Sequence, residues 1–278
     1  MKNSKTKIYL SLLILFFLNF ITWQNVYSKH LLFQDSISFL DVGQGSATLI
    51  QTSNSYQILI DAGPDETILS QLAKIMPHTD KIIELAIITH PHADHLVGYN
   101  YILQHYKIKA FIITDIDYNE DNYQHLKQFL DDYQIPTIIA NQHTDIHHNQ
   151  ISIDILYPFT SIQNQEFEEI NNSSIAMKII TPNLSVLITG DLHSEIEQEL
   201  VQQYGKYLQS DILVTGHHGS KTSTADEFLN IVNPRQVIIS CGTNNKFGHP
   251  SPETIAKLTQ KNIQIHRTDL DGKIDFDL

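Results

Sequence analysis

Cysteine is almost absent from the 278-residue chain, which contains only Cys241. An internal disulfide requires two cysteines, so a disulfide-stapled fold is excluded. The scarcity of thiolates also disfavours a structural zinc site, which more often uses cysteine. Because Cys241 follows an apolar run at residues 237–239, we interpret it as a small core residue and not as a catalytic thiol, which requires a basic and exposed setting.

Positive charge is also scarce. The chain has 18 lysines and arginines against 31 acidic residues, for a formal net charge of −13. An acidic surface repels polyanions, and no run of basic and aromatic residues marks a strand-binding groove, so extended binding of nucleic acids is disfavoured. A phosphate ester bound directly at metal ions is not excluded, because the ions then supply the largest local charges.

The N-terminal segment, residues 1–28, differs from the rest. Three lysines within the first seven residues precede an uncharged apolar stretch. This pattern predicts either a signal peptide cleaved after residue 28 or a retained membrane anchor through residues 8–23. Both alternatives place the remainder outside the cytoplasm, either secreted or attached to the membrane. A lipid-anchored form is excluded, since no cysteine lies nearby.

The remainder has a globular composition, since the chain is 41% hydrophobic and 18% charged. No linker or low-complexity tract divides it, so we predict one domain over residues 31–278. Apolar strands that end in loops with histidine or aspartate predict a layered α/β sandwich with a site at the strand ends. Residues 101–105 are predicted to be helical, residues 160–172 to form a long irregular loop, and residues 263–266 and 273–276 to close the sheet.

The segment HPHADH at residues 90–95 is the most informative part of the sequence. Three imidazoles and one carboxylate fall within six residues, directly after an apolar run that predicts a buried strand. Imidazole nitrogen and carboxylate oxygen are ligands that suit zinc, manganese or iron. In a loop at the strand end, His90 and His92 can bind one ion, and Asp94 and His95 can bind a second ion close by.

Two later segments offer the remaining ligands. Asp191 comes shortly after an apolar run at residues 186–188 and can bridge both ions. His217 and His218 come shortly after another apolar run at residues 212–214, and one of the pair can complete the second ion. The sequence leaves open which of the two histidines does so. Together with the HPHADH segment, these residues predict a two-metal centre.

The HxHxDH segment, followed by a strand-terminal aspartate and then a histidine, resembles the metallo-β-lactamase superfamily. The chain resembles in particular the metallo-β-lactamase domain of the ComEC competence proteins and their stand-alone exported relatives. The similarity spans residues 36–276 and includes DVGQG at 41–45, LIDAG at 59–63, HHGSKTS at 217–223, NKFGHP at 245–250 and RTDLDG at 267–272. It implies a four-layer αββα sandwich.

The resemblance also implies a role for each residue of the centre. The metal ligands would be His90 and His92 for the first ion, Asp94 and His95 for the second, Asp191 as the bridge, and His217 or His218 to complete the second site. Asp61 would brace the HxHxDH loop by hydrogen bonds. The cofactors would be two divalent ions, Zn²⁺ or Mn²⁺, that activate a water as hydroxide.

Four residues are candidates for catalytic roles. Asp94 or Asp191 would orient the hydroxide and move its proton. Lys221 and His249 lie in motifs of the family, so each is a candidate for contacting a phosphate or protonating the leaving group. The sequence alone favours ordinary surface positions for these two residues.

Two departures from the family pattern affect these roles. Most of the superfamily has a histidine ligand of the first ion before the bridging aspartate, where this chain has NNSS at residues 171–174. Asn172 is the candidate replacement, and its amide oxygen favours a harder ion, so manganese competes with zinc. The opening motif usually continues as GQGD, whereas Gly45 is followed here by Ser46, which removes a carboxylate.

The resemblance implies hydrolysis of a phosphodiester, with DNA or oligonucleotides as candidate substrates and a link to DNA uptake. The acidic composition favours short or flexible diesters, which include oligonucleotides and cell-envelope phosphodiesters such as phosphocholine-bearing polymers. A catalytically silent envelope module that binds a partner is the alternative from another class. The missing histidine and the missing opening carboxylate support that alternative.

Overall fold

Two seven-stranded β-sheets and one small two-stranded sheet form from the apolar and alternating segments of the chain, and helices cover the outer faces of the two large sheets. The computed structural model describes residues 2–32 and 35–278. The helices in these residues are α1 (Lys2–Leu32), α2 (Thr67–Ile75), α3 (Ala93–His105), α4 (Asp121–Asp132), α5 (Ser194–Tyr204), α6 (Asp226–Val232), α7 (Pro252–Gln260) and α8 (Thr268–Asp271). Short 3₁₀ helices lie at Ile170–Ser173, Gly205–Leu208 and Gly216–Gly219.

The strands follow the apolar runs of the sequence. They are β1 (Ser36–Phe39), β2 (Thr48–Gln51), β3 (Gln57–Ile60), β4 (Ile82–Ile83), β5 (Leu85–Ile87), β6 (Lys107–Ile108), β7 (Phe111–Ile113), β8 (Thr137–Ile139), β9 (Asp145–His148), β10 (Ile151–Tyr157), β11 (Ala176–Ile180), β12 (Ser185–Ile188), β13 (Ile212–Val214), β14 (Gln236–Ile239), β15 (Gln264–Arg267) and β16 (Ile274–Asp277). The two main sheets have the orders β16-β1-β2-β3-β5-β7-β8 and β15-β14-β13-β12-β11-β10-β9.

Each main sheet has an antiparallel half and a parallel half. In the first sheet β16, β1, β2 and β3 pair antiparallel, and β3, β5, β7 and β8 pair parallel. In the second sheet β9 to β12 pair antiparallel, and β12 to β15 pair parallel. The loops after β5, β12 and β13 lie at the carboxyl ends of parallel strands. Ligand sites of layered α/β folds form at these ends.

Three apolar clusters separate four layers. The first cluster packs α2, α3 and α4 on the first sheet, the second lies between the sheets, and the third packs α5, α6 and α7 on the second sheet. Examples from the three clusters are Tyr99, Ile87 and Phe228, all buried. Burying each such side chain stabilises the fold by about 1.5–3 kcal/mol. The predicted four-layer αββα sandwich is confirmed.

The last strand differs from the prediction that residues 263–266 and 273–276 close one sheet. Strand β15 does extend the second sheet beside β14, but β16 crosses to the first sheet and pairs with β1. The crossing buries Ile274 in the cluster between the sheets. It also packs Phe276 edge-on against Phe39, with ring centroids 6.2 Å apart. Apolar contacts between the layers therefore decide where this strand goes.

Helix α3 begins earlier than predicted, since it covers residues 93–105 and not only 101–105. Asp94 and His95 consequently lie in its first turn. Gly98 brings the helix against the loop after β3, because a Cβ at this position would lie 1.9 Å from the carbonyl oxygen of Ala62. The Ala62 N–H donates to the His95 carbonyl at 2.8 Å. This close approach fixes half of the HPHADH segment on a helix.

Helix α1 contains a segment, Lys7–Gln24, that is long and apolar enough to cross a membrane by length and composition. Its mean hydropathy is 1.5, and its large apolar side chains are exposed. A signal sequence meets the same criteria, so both alternatives for residues 1–28 stay open. The proposed start of the domain at residue 31 adjoins residues 33 and 34, which lie outside the described residues.

Candidate metal centre

The loops after β5, β12 and β13 converge between the two sheets. They carry, respectively, the HPHADH segment, Asp191, and the pair His217 and His218. Gly190 permits the turn before Asp191, since its φ is +54° and a Cβ there would lie 2.9 Å from the side chain of Ser174. The three segments, which are far apart in the sequence, thus meet at one place.

The first ligand group consists of His90, His95 and Asp191, all buried. His90 Nε2 lies 3.8 Å from Asp191 Oδ2, and His95 Nε2 lies 3.4 Å from Asp191 Oδ1. His92 joins this group from the solvent side, with its Nδ1 3.1 Å from His90 Nε2. Two imidazole nitrogens that face each other at this distance need a proton or a cation between or beside them.

The second ligand group consists of Asp94, His95 and His218. His218 Nε2 lies 3.1 Å from Asp94 Oδ2 and 3.5 Å from Asp191 Oδ2. His218 Nδ1 lies 2.8 Å from the Ser240 carbonyl oxygen and must donate to it. That bond leaves the Nε2 lone pair facing the group, which is the arrangement of a metal-binding histidine.

His217 occupies a more peripheral position than His218. Its Nε2 is 4.0 Å from Asp191 Oδ2, and its side chain is 24% exposed against 2% for His218. Both residues have positive φ, 49° and 55°, which turns the two rings in different directions. Of the two candidates that the sequence left open, the structure groups His218 with Asp94 and His95.

Asp191 faces both groups at once. One carboxylate oxygen contacts His95, and the other contacts His90 and His218. Burial disfavours its charge, but the imidazoles of His218 and His95 hold the pKa of Asp191 well below its usual range. Burial also lowers the pKa of His90 well below its usual value and so favours the neutral form that binds metals.

The residues of the centre fit a pair of divalent cations. His95 Nε2 is buried and has no well-formed hydrogen bond, a state that is costly unless another partner, such as an ion, occupies the site. Four imidazoles and two carboxylates surround the same space, and this mixture of nitrogen and oxygen donors suits zinc or manganese. The donor set contains no thiolate, as the sequence requires.

Asp61 ties the HPHADH segment to the first sheet. Its carboxylate accepts hydrogen bonds from the Thr89 N–H at 2.8 Å, the Thr89 hydroxyl at 2.8 Å and His95 Nδ1 at 2.7 Å. The last bond fixes the His95 tautomer that presents Nε2 to both ligand groups. Asp61 thus has the contacts expected of a residue that braces the loop.

Replacing Asp61 by asparagine is expected to weaken metal binding about 10- to 100-fold, because an amide cannot accept all three hydrogen bonds or fix the His95 tautomer. Asparagine tolerates the positive φ of 56° at this position, so the backbone is retained. Competition with a chelator measures the affinity, with Asp132→Asn on the exposed face of α4 as the control. Unchanged affinity in Asp61→Asn would contradict the bracing role.

The asparagine pair differs from the expectation that Asn172 faces the ions. Asn172 Oδ1 accepts the His193 N–H at 3.0 Å, and its amide group donates to Glu195 at 2.7 Å. These bonds hold Asn172 at the start of α5. Asn171 is the residue that faces the cluster, since its side chain reaches His92 and its Oδ1 is buried without a hydrogen bond. Because residues Ile170–Ser173 form a 3₁₀ turn, the Asn171 side chain points to the cluster and the Asn172 side chain points to α5.

Three further residues from the family motifs take separate places. Lys221 is exposed, and no hydrogen bond or ion pair among the described residues joins it to the centre. His249 lies beside the centre, with its ring centroid 5.3 Å from that of His217. Ser46 contributes backbone contacts, since its N–H donates to the Asp94 carbonyl at 3.2 Å. The geometry thus brings His249 to the site and leaves Lys221 outside it.

Two residues near the centre were not identified from the sequence. His193 stacks on His217, with centroids 5.4 Å apart and an interplanar angle of 14°. Glu197 on α5 is buried and accepts the N–H groups of Thr224 and Ala225 at 2.7 and 2.8 Å. It therefore fixes the segment that follows the histidine pair. Its position in an amphipathic helix, among polar neighbours, gives no sign of this contact in the sequence.

Glu197 is expected to make the free energy of unfolding depend on pH. Burial raises its pKa from 4.5 to about 7, so the folded state binds the proton more tightly than the unfolded state. Stability from this group is therefore greatest below pH 4.5 and decreases as the pH rises through about 7. Across this interval, urea unfolding should show the free energy of unfolding of wild type decreasing by about 3 kcal/mol relative to that of Glu197→Gln.

The exposed acid Glu227 on α6 supplies the control for this measurement. The stability difference between wild type and Glu227→Gln should change little over the same interval. A pH-independent difference between wild type and Glu197→Gln would contradict the raised pKa.

The fold is a four-layer αββα sandwich, and two groups of histidine and aspartate side chains that could hold metal ions lie together in it. A family model described as the metallo-beta-lactamase superfamily matches residues 40–243. The chain belongs to the metallo-β-lactamase superfamily. The matched residues contain both ligand groups and Asp61.

Relatives among known proteins are involved in competence and recombination, according to their names. The chain is 26% identical to ComE operon protein 3 of Bacillus subtilis (strain 168) over 260 residues, which are 87% of this chain and 33% of that protein. It is 28% identical to competence protein ComA of Neisseria gonorrhoeae over 247 residues, 87% of this chain and 32% of that protein. It is 29% identical to recombination protein 2 of Haemophilus influenzae over 243 residues, which are 86% of this chain and 28% of that protein. The chain thus spans about a third of the length of these relatives.

Solved structures share the fold at low sequence identity. The metallo-beta-lactamase fold protein YhfI from Bacillus subtilis superposes with a TM-score of 0.56 at 14% identity, covering 88% of this chain and 100% of that one. A diphosphatase from the PhnP family gives a TM-score of 0.51 at 15% identity, with 88% and 99% covered. At these identities the similarity shows the fold alone.

Proposed function

We propose that the chain is a phosphodiesterase that cleaves nucleic-acid phosphodiesters outside the cytoplasm, using two divalent ions, Zn²⁺ or Mn²⁺. The observation that carries the proposal is the position of Asp191 between the two ligand groups: its Oδ1 contacts His95, which both groups share, and its Oδ2 contacts His90 of the first and His218 of the second. The names of the competence relatives support a nucleic acid as the substrate. A link to DNA uptake is part of the same proposal.

The proposed ligands divide between the two ions. The first ion would be held by His90, His92 and Asn171 and the second by Asp94, His95 and His218, while Asp191 would contribute to both sites. The ions, when bound, lower the pKa of a water molecule and neutralise charge on the phosphoryl oxygens. An amide oxygen at Asn171 in place of an imidazole makes the first site harder, which favours manganese over zinc there.

The side chains around the ions orient the substrate and move protons. Asp94 is 28% exposed against 4% for Asp191, so Asp94 Oδ1 or Oδ2 is the carboxylate oxygen that can accept the proton of the attacking water. His249 lies beside His217 at the rim and is the proposed donor of a hydrogen bond or proton to the leaving oxygen. Lys221, which is exposed, would act only on a part of the substrate that extends beyond the centre.

A second candidate substrate class follows from the pocket next to His92. This cavity of about 560 Å³ is lined by the carboxylates of Asp117, Glu166, Glu168 and Glu169 and by the ring of Tyr118. An acidic pocket with an aromatic ring favours a cationic group. Envelope phosphodiesters that carry phosphocholine would place such a group there, and an esterase for them is therefore the alternative enzyme.

The proposal is tested with the full chain and a panel of diesters. Wild type with Mn²⁺ or Zn²⁺ is expected to hydrolyse bis-p-nitrophenyl phosphate and short oligonucleotides faster than phosphocholine diesters. The reverse preference would support the envelope esterase. Bound metal without turnover of any diester would contradict the proposed activity and support the alternative of a silent envelope module that binds a partner.

The proposed location depends on α1. Residues 8–23 would attach the protein to the membrane, or the segment would be removed after export, and in both cases the domain acts outside the cytoplasm. Cell fractionation with an antibody against the domain distinguishes the two. Recovery of the domain in the cytoplasm would contradict both.

A further inference from the structure

Phe247 is exposed on a loop that is otherwise well ordered by hydrogen bonds. Its side chain is 56% exposed. Asn245 organises the loop, since its Oδ1 accepts the N–H groups of Phe247 at 3.2 Å and His249 at 3.0 Å, while its amide group donates to the Gly242 carbonyl at 2.9 Å. The loop thus holds an aromatic ring in solvent in one defined position.

A row of rings connects Phe247 with the metal centre. Phe247 is nearly parallel to His249, with centroids 6.1 Å apart and an interplanar angle of 11°. His249 lies 5.3 Å from His217, whose Nε2 is 4.0 Å from Asp191. A planar group stacked on Phe247 would therefore lie close enough to the centre for another part of the same substrate to react there.

Phe247 also lines a cavity of about 540 Å³ that reaches Asp94. This volume is within the range of sites for small molecules. Asp41 and Asp65 line the same cavity, and their carboxylates disfavour a second phosphate there while permitting a neutral ring with amino groups. Lys246 Nζ lies over the Phe247 ring, 5.1 Å from its centroid, so a base that stacks on this face displaces the ammonium group, which can then contact a flanking phosphate.

We propose that Phe247 is a stacking platform for one nucleobase next to the scissile phosphodiester, so that the site selects single-stranded oligonucleotides. This inference rests on the proposed phosphodiesterase function and specifies its substrate. Base stacking on an aromatic ring tolerates any base, because every base has a π-face. In a duplex both faces of each internal base are already stacked on neighbouring bases, so such a base has no free face to stack on Phe247.

The charge of the chain is consistent with a short contact. At a net charge of −13, affinity from many phosphate contacts along a strand is disfavoured. One stacked base, one lysine and the metal ions suffice to hold a short strand locally. The inference therefore predicts affinity that does not increase with length beyond a few nucleotides.

The test measures binding of fluorescein-labelled six-nucleotide strands to the manganese-loaded full chain by anisotropy. Phe247→Ala is expected to weaken binding of the base-bearing strand about 10-fold or more, while Phe247→Trp binds at least as tightly as wild type. The affinity of an abasic strand of the same length should differ less than twofold between wild type and Phe247→Ala. Tyr133→Ala, which removes another exposed ring at the end of α4, is the control and should bind as wild type does.

Equal loss of affinity for base-bearing and abasic strands, or unchanged affinity in Phe247→Ala, would overturn the inference. Binding of a duplex as tight as that of the single strand, or no binding of the base-bearing strand by wild type, would overturn it too. Turnover by wild type tests the proposed function separately. Selective loss of binding in Phe247→Ala without any turnover would retain the platform and reject the phosphodiesterase.

Discussion

Asp191→Ala is expected to lose both bound metal and activity. The buried carboxylate contacts members of both ligand groups, through His95 on one oxygen and through His90 and His218 on the other. Its removal leaves the cationic charge of the centre without its central anion, so metal content should fall from about two ions per chain to less than one. We expect kcat/KM for bis-p-nitrophenyl phosphate to fall by at least about 1,000-fold, or about 4 kcal/mol in transition-state stabilisation.

Elemental analysis and steady-state kinetics on the same preparations measure both effects. Asp132→Ala on α4, where the carboxylate is exposed and hydrogen-bonds only Gln128 in the described structure, is the matched control and should retain metal and activity. Retained activity in Asp191→Ala would refute the bridging role. Loss of activity with both ions retained would assign Asp191 to proton transfer and not to metal binding.

Gly98→Ala is expected to cause a large loss of stability. A Cβ at this position would lie 1.9 Å from the Ala62 carbonyl oxygen and 2.7 Å from its carbonyl carbon. These are backbone atoms that hydrogen bonds hold in place, since the Ala62 N–H donates to His95 and the Gly98 N–H donates to Gly63 at 2.9 Å. Helix α3 must therefore move away from the first sheet, which we expect to cost about 3 kcal/mol or more.

The displacement should also weaken metal binding, because α3 carries Asp94 and His95 in its first turn. Urea unfolding measures the stability, and Gly205→Ala is the control. Gly205 has open space around its Cβ position, and its φ of +49° with ψ of −125° favours glycine, so alanine there should cost about 1–3 kcal/mol from backbone strain alone. A smaller loss in Gly98→Ala than in Gly205→Ala would contradict the close packing of α3 against the Ala62 loop.

The architecture could be predicted from local patterns because each of them reflects a physical requirement. The apolar run at residues 85–89 is buried on both faces, as a central parallel strand must be. Each of the segments at 90–95, 191 and 217–218 follows such a run. The first run is a strand of one sheet and the other two are strands of the second sheet, so the packing of the two sheets brings the segments together. The resemblance to a known family connected these segments into one centre.

Contacts between distant segments could not be predicted in the same way. Asn171 and Asn172 are adjacent and chemically identical, and only the 3₁₀ turn decides which amide faces His92. The choice between His217 and His218 depends on the Ser240 carbonyl, which lies on another strand.

Strand β16 shows the same limit at the level of an element. Its sequence predicts a strand, but the sheet that it joins depends on tertiary contacts: it pairs with β1, packs Phe276 against Phe39 and buries Ile274 between the sheets. Local sequence thus indicates which residues can bind metal or form strands, whereas tertiary packing decides their partners.

Anomalous diffraction from crystals of the manganese- or zinc-loaded protein tests the central claim most directly. We predict two peaks, one among His90, His92 and Asp191 and one among Asp94, His95 and His218, with Asp191 contacting both. Data on the two sides of the metal absorption edge would identify the element at each site. An anomalous map with no peak beside Asp191, from protein saturated with either metal, would contradict the proposed two-metal centre.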